Sequence, residues 1–146
     1  MSSIHGTVVA FGGFGVLLRG APGSGKSSLA LRLIDAPGYG LSAVLLRTVL
    51  VADDQVEISK TAEGLVARAP QALAGLLEIR GVGVVKAPHQ TQVLLSLVVD
   101  LEPAAAIARM PEEAEVEMEL MGLTIKRLKL DVCDPAALAK IRACLK

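Results

Sequence analysis

Gly20-Ala21-Pro22-Gly23-Ser24-Gly25-Lys26-Ser27 reads G-x-x-x-x-G-K-S, a spacing that suits the binding of a nucleotide's phosphates. Glycines let the backbone curl until several N–H groups point at one anion. Lys26 would then reach the β- and γ-phosphates, and the Ser27 hydroxyl would ligate Mg²⁺. Such chemistry also needs acids. Leu50-Val51-Ala52 is an apolar run that ends in Asp53-Asp54. Adjacent carboxylates in a strand point to opposite faces, so the two are expected to do different work. One would hold metal through water, and the other would accept a proton from a hydroxyl nucleophile. An ordinary turn after a strand is the plainer account of the pair. Glu78, between Leu77 and Ile79, is costly to bury without a cation, which would be either a metal or its neighbour Arg80. His5, taken alone, reads as a surface residue.

The elements that must position these groups follow from the pattern. Gly15–Arg19 is a short apolar run of strand type, and Ser27–Ile34 is helical, with Leu29, Leu33 and Ile34 on one side. Strand, glycine loop, helix puts the phosphates at a helix N-terminus, where free N–H groups and the macrodipole favour negative charge. Thr7–Ala10 is expected to pair with Gly15–Arg19 as a hairpin across Phe11-Gly12-Gly13-Phe14. Pro37-Gly38 ends the helix. Leu41–Ala52 reads as a strand buried on both faces. Gln55–Ser59 and Leu65–Ala69 form a hairpin, and a short helix over Gln71–Leu76 follows Pro70.

Val84–Gln90 is expected as a loop, Val93–Leu101 as a core strand and Pro103–Glu113 as helix or loop. Glu115–Leu120 and Leu123–Leu130 make another hairpin, with glutamates and basic residues on solvated faces. Asp134 caps a last helix that starts at Pro135 and carries the stripe Leu138, Ile141, Leu145. The sum is an α/β fold: a single nucleotide-binding domain over 1–146, with a mixed, strand-rich sheet and few helices.

Composition sets the limits. The chain has 146 residues, 52% hydrophobic, with Phe11, Phe14 and Tyr39 as its aromatics, so its core is aliphatic. Lys+Arg and Asp+Glu balance at 15 each, which removes the global basic field of a nucleic-acid or anionic-membrane binder. Cys133 and Cys144 lack metal-ligand spacing and suit a reducing cytosol. The N-terminus lacks the pattern of a signal peptide, and the longest apolar run is too short for a membrane span, so a soluble, cytoplasmic protein is expected. No N-K-x-D is present for GTPase-type base recognition.

Several stretches together resemble the HPr kinase/phosphorylase family. They are Ile4–Val9, Gly20–Ser27, Leu50–Ile58, Leu97–Glu102 and above all Leu76-Leu77-Glu78-Ile79-Arg80-Gly81-Val82-Gly83-Val84-Val85. The resemblance covers about the first three quarters of the chain in conserved order. It implies an ATP- and Mg²⁺-dependent protein serine kinase acting on the phosphocarrier HPr. Lys26 and Ser27 would bind phosphate and Mg²⁺, and Glu78 would be a second metal group. His5 would join the active site, and Asp53 and Asp54 would supply the general base, the choice between them staying open. Arg109 is similar to an active-site arginine, and a hexamer is implied.

The chain departs from the family in three ways. It resembles a short, catalytic-domain-only form. The connection from Lys26 to Asp53 is long, with a flexible insertion expected at Pro37–Ser42. The family's glycine- and proline-containing loop after the late strands meets only Thr124–Lys129 here, so the kinase direction is better supported than the phosphorylase direction. A phosphotransferase for a small molecule and a non-catalytic nucleotide-sensing module are the alternatives.

Overall fold

The structure, a computed structural model, describes residues 1–145. The chain begins with β1 (Ser2–His5), β2 (Thr7–Phe11) and β3 (Phe14–Arg19), followed by α1 (Lys26–Asp35). Then come β4 (Val49–Ala52), β5 (Gln55–Thr61), β6 (Gly64–Arg68), β7 (Leu76–Ile79), β8 (Gly83–Lys86) and β9 (Gln92–Leu101). The last elements are β10 (Glu117–Leu120), β11 (Leu123–Leu130) and α2 (Ala137–Ala143). Single 3₁₀ turns lie at Gln71–Leu73, Ala104–Ala106 and Glu113–Glu115. Among the described residues this is a strand-rich α/β fold with two short helices, neither long and apolar enough to cross a membrane.

Nine strands form one sheet, in the order β1-β5-β6-β9-β3-β2-β4, with β11 on the other side of β9's second half and β10 beyond it. β9 is the spine. Gln92–Leu94 pairs with β6, while Leu95–Asp100 runs parallel to β3 and Leu97–Leu101 parallel to β11. Its residues alternate between two cores, as the period of a strand requires. Leu97 and Val99 join Val9, Val16 and Leu18 under α1 and α2, where Leu29, Leu33 and Ile141 are fully buried. Val98 joins Val8 and Leu17 on the opposite face, against Val56, Ile58, Leu65 and Ala67 of the β5–β6 hairpin.

The β2–β3 hairpin forms as its sequence implies, with Phe11 opposite Phe14 and Gly12 at a φ of 63°. The β5–β6 and β10–β11 hairpins also form. Four expectations are corrected. Leu41–Ala52 is not one strand: only Val49–Ala52 is extended in the sheet, and Leu41 (89% exposed) and Val44 (66% exposed) face solvent. Gly40 and Leu41 at positive φ, with a turn closed by Ser42, break the run first. The expected helix from Gln71 is one 3₁₀ turn, because Leu76–Ile79 is drawn into a two-stranded ribbon with Gly83–Lys86. That pairing also makes a strand of residues expected in a loop. The last helix starts at Ala137, and Asp134 closes the turn before it by accepting the Ala136 N–H at 2.8 Å.

The insertion at Pro37–Ser42 is tied down at its base. Gly38 and Leu46 form a backbone bridge, and the buried Arg142 packs on Gly38 and Gly40 while donating to the Leu33 and Ala36 carbonyls. A cation at a helix C-terminus complements its free carbonyls. Burial lowers the pKa of Arg142 from its usual value.

Candidate functional site

Sheet order places the site. β2 is antiparallel to both β3 and β4, so β3 and β4 share a direction, and β9 and β11 run parallel to β3. Four C-terminal strand ends, Ala52, Arg19, Leu101 and Leu130, therefore meet at one edge, with Thr7 of β2 between the first two. Ligands of α/β sheets gather at such an edge.

The Gly20–Ser27 loop joins β3 to α1 along it. Gly23 and Gly25 hold φ of 80° and 102°, where a side chain would be strained. A Cβ on Gly20 would stand 2.4 Å from Ser24 Oγ. The loop curls around Lys26, which is 8% exposed and donates from Nζ to the Gly20 carbonyl (2.9 Å) and the Ala21 carbonyl (3.1 Å). Ser24 Oγ is buried without a partner. A loop of glycines at positive φ, an orphaned hydroxyl and a lysine held only by neutral carbonyls fit a phosphate group.

Ser27, in the first turn of α1, donates from Oγ to Asp53 Oδ1 at 2.8 Å. The buried Thr7 hydroxyl donates to the same oxygen at 2.9 Å, and the Glu78 N–H donates to Asp53 Oδ2 at 3.0 Å. Three donors from three elements fix Asp53, which is 8% exposed. Asp54 adopts a φ of 68°, so the backbone turns and its carboxylate stands in solvent, 3.4 Å from His5 Nε2. The acidic pair thus divides by depth: one carboxylate sits inside against Ser27, the other outside beside an imidazole.

The structure brings together His5, Lys26, Ser27, Asp53 and Asp54. Glu78 arrives through its backbone, and its side chain on β7 is exposed. Arg109 lies elsewhere, at the rim of a cleft over the ends of β9 and β11. Four strand spacings separate β4 from β11, about 19 Å at the usual spacing, so Arg109 flanks the loop on the side away from Asp53. Among the described residues, no three of His, Cys, Asp and Glu gather as metal ligands. The donors present still fit a hard cation. Ser27 Oγ and Asp53 would offer it two oxygens, the ligand atoms that Mg²⁺ prefers.

Two groups of residues escaped the sequence reading. Thr7 sits in a wholly buried strand, and a hydroxyl among apolar neighbours was the available signal. Asp100 interrupts the apolar run of β9 for a reason: Arg19 donates to both its oxygens (2.7 and 2.9 Å) and Arg127 donates to Oδ2 (2.6 Å). Burial raises the Asp100 pKa, but the two arginines outweigh it and hold the carboxyl below its usual value. The triad ties β9 to β3 on one side and β11 on the other, one residue before Gly20. The stretch Thr124–Lys129 lies inside β11, so the segment that follows the late strands is Asp131–Ala136.

Comparison with known proteins bears on the family and the fold. The chain is 36% identical over 142 residues to the HPr kinase/phosphorylase of Bordetella pertussis, across 90% of this chain and 42% of that protein. It is 35% identical over 145 residues to the HPr kinase/phosphorylase of Geobacillus thermodenitrificans, with the same shares. The chain thus spans less than half the length of these relatives. The solved Hpr(Ser) kinase/phosphatase of Coxiella burnetii shares the fold, with a TM-score of 0.78 at 19% identity over 99% of this chain and 88% of that one. The profile of the HPr Serine kinase C-terminal domain matches residues 1–143, and with that match the chain belongs to this family.

Proposed function

We propose that this chain is an ATP- and Mg²⁺-dependent protein serine kinase whose substrate is the phosphocarrier HPr, acting as one catalytic domain in the cytoplasm. The observation that carries the reading is the Ser27–Asp53 hydrogen bond of 2.8 Å with Asp54 and His5 directly outside it. A phosphate-loop hydroxyl bonded to a carboxylate is the pair a Mg²⁺ site needs, and the exposed neighbour faces where a substrate must arrive. Family membership supports this class of reaction and of substrate.

The residues divide the work. Gly20–Ser27 would wrap the phosphates, and Lys26 would leave its loop carbonyls for the β- and γ-phosphate oxygens. Ser27 and Asp53 would hold Mg²⁺, with the Glu78 carboxylate as a second metal group. Held there, Mg²⁺ would supply positive charge to the transferring phosphoryl group. Asp54 would be the general base: it takes the proton from the serine hydroxyl as that oxygen bonds to the γ-phosphorus and the bond to the leaving diphosphate breaks. His5 would orient Asp54 through its imidazole. Forward transfer is favoured over the reverse, since Asp131–Ala136 carries two carboxylates and no cation to gather inorganic phosphate. A homo-oligomer, hexameric as the resemblance implies, is part of the same proposal.

Incubation of the chain with MgATP and purified HPr, followed by mass analysis, tests the reading. One added phosphoryl group on an HPr serine is the expected result. Unmodified HPr, with nucleotide binding intact, would refute the kinase assignment.

A further inference from the structure

A second cleft, of about 390 Å³, opens away from the sheet edge that carries Gly20–Ser27, between the β5–β6 turn and the start of β11. Strand pairing creates it. Along one side of β9, β6 pairs as far as Leu94 and β11 takes over from Leu97. The two strands compete for the stretch between, so the β5–β6 hairpin and β11 diverge there and leave a gap. The other side of β9 is irregular at the same place. Gly15 opposite Leu95 is followed by Val16 opposite Leu97, which makes Ser96 an extra residue, and such a bulge bends a strand. The floor of the gap is apolar. Leu65, Leu95, Leu123 and Ile125 line it, and all four belong to the core beneath the β5–β6 hairpin.

The rim carries one charge of each sign. Lys60 pairs with Leu65 across the hairpin and continues the inward-facing row of Val56 and Ile58. Its Nζ reaches toward the β10–β11 turn, 3.6 Å from where a Cβ of Gly122 would stand. Glu63 lies in the turn of the β5–β6 hairpin, where its Oε2 accepts from Thr61 Oγ1 at 3.2 Å. Among the described residues neither Lys60 nor Glu63 is in an ion pair. These charges decide what the cleft receives. A simple anion drawn to Lys60 would meet the Glu63 carboxylate, and a simple cation would meet the Lys60 ammonium. A zwitterion satisfies both, and the floor calls for an aliphatic body beside it. An aliphatic α-amino acid carries an ammonium, a carboxylate and an apolar side chain on one carbon.

We propose that the cleft between the β5–β6 turn and the start of β11 binds a free aliphatic α-amino acid. Lys60 pairs with its carboxylate, Glu63 with its ammonium, and Leu65, Leu95 and Ile125 take its side chain. The site is separate from the phosphate loop and stands whether or not that loop takes a nucleotide. One strand joins the two places. β5 carries Lys60 toward one end and begins at Gln55, whose N–H donates to the Asp53 carbonyl at 2.8 Å.

The test is an NMR titration of the full chain with leucine, read at the backbone amides. Saturable shifts at residues 60–65 and 123–125 are the expected result. Three analogues each remove one part: glycine lacks the side chain, isocaproate the ammonium and leucinamide the carboxylate. Each should bind at least about fivefold more weakly than leucine, the order of one apolar contact or one half-exposed charge pair. Lys60→Gln should weaken leucine about fivefold and leave leucinamide unchanged. Glu63→Gln should weaken leucine by a similar factor and leave isocaproate unchanged. Both side chains are exposed, so both variants keep the fold. Leucine shifts that do not saturate at these amides, glycine binding as tightly as leucine, or variants that weaken leucine and its analogue alike would each overturn the site.

Discussion

Asp53 and Asp54 are adjacent in sequence and opposite in setting. Asp53 is buried and accepts from Thr7, Ser27 and the Glu78 backbone; Asp54 is solvated beside His5. A base acts chiefly in the transition state, so Asp54→Asn should cut transfer to HPr by at least about a hundredfold and leave nucleotide affinity nearly unchanged. Lys26→Ala should instead abolish nucleotide binding. Paired titration and single-turnover phosphorylation separate the two outcomes, and normal transfer by the Asp54 variant would exclude it as the base. Thr7→Val removes one of Asp53's three donors while keeping shape. It should cost about 1 kcal/mol in urea unfolding and raise the Mg²⁺ concentration needed for half-maximal transfer. A purely structural Thr7 would change the first measurement and not the second.

At the scale of elements, the Arg19–Asp100–Arg127 triad fastens the strand that feeds the phosphate loop. The sign of its pH dependence follows from the lowered carboxyl pKa. Such a group stabilises the fold above its unfolded value, and the contribution is lost as pH falls from the ordinary 3.8 through the lower folded value. The wild-type chain should therefore lose stability on acidification through this window. Asp100→Asn should be less stable at neutral pH, where two arginines lose their carboxylate, and its acid limb should be flatter below about pH 4. Thermal melts from pH 7 to pH 3 read both effects. Elements also show where sequence periodicity was enough. The hairpins β2–β3, β5–β6 and β10–β11 were legible because local alternation and turn residues fix a hairpin within a few positions. Leu41–Leu46 was misread because an apolar run says nothing about which residues meet a partner, and here Gly40 and Leu41 turn the chain away first.

For the whole molecule, β9 decides stability because it serves both cores and both halves of the sheet. Leu97 is fully buried between β3 and β11 under the helices. Leu97→Ala should cost about 2–5 kcal/mol, as read from urea denaturation midpoints. The mixed topology also gathers the site from distant parts of the chain. His5 and Thr7 come from its start, Lys26 and Ser27 from the first helix, Asp53 from the turn after β4 and the Glu78 backbone from a separate ribbon.

The sequence by itself determined the residue types and their local frames. Gly20–Ser27 could be read as a strand–loop–helix site because glycine spacing and flanking periodicity are local properties. Asp53-Asp54, Glu78 and the Leu76–Val85 stretch pointed to the family because residue order survives without coordinates. Only the tertiary structure decided which acid meets Ser27, since that depends on β2 running antiparallel between β3 and β4 and on a left-handed turn at Asp54. It also decided that Arg109 stands on the opposite flank, because the side of the loop on which a residue falls is set by strand order across the sheet. The phosphate loop was written in the chain; its two sides, one with carboxylates and one with a cleft, exist only once the strands are laid side by side.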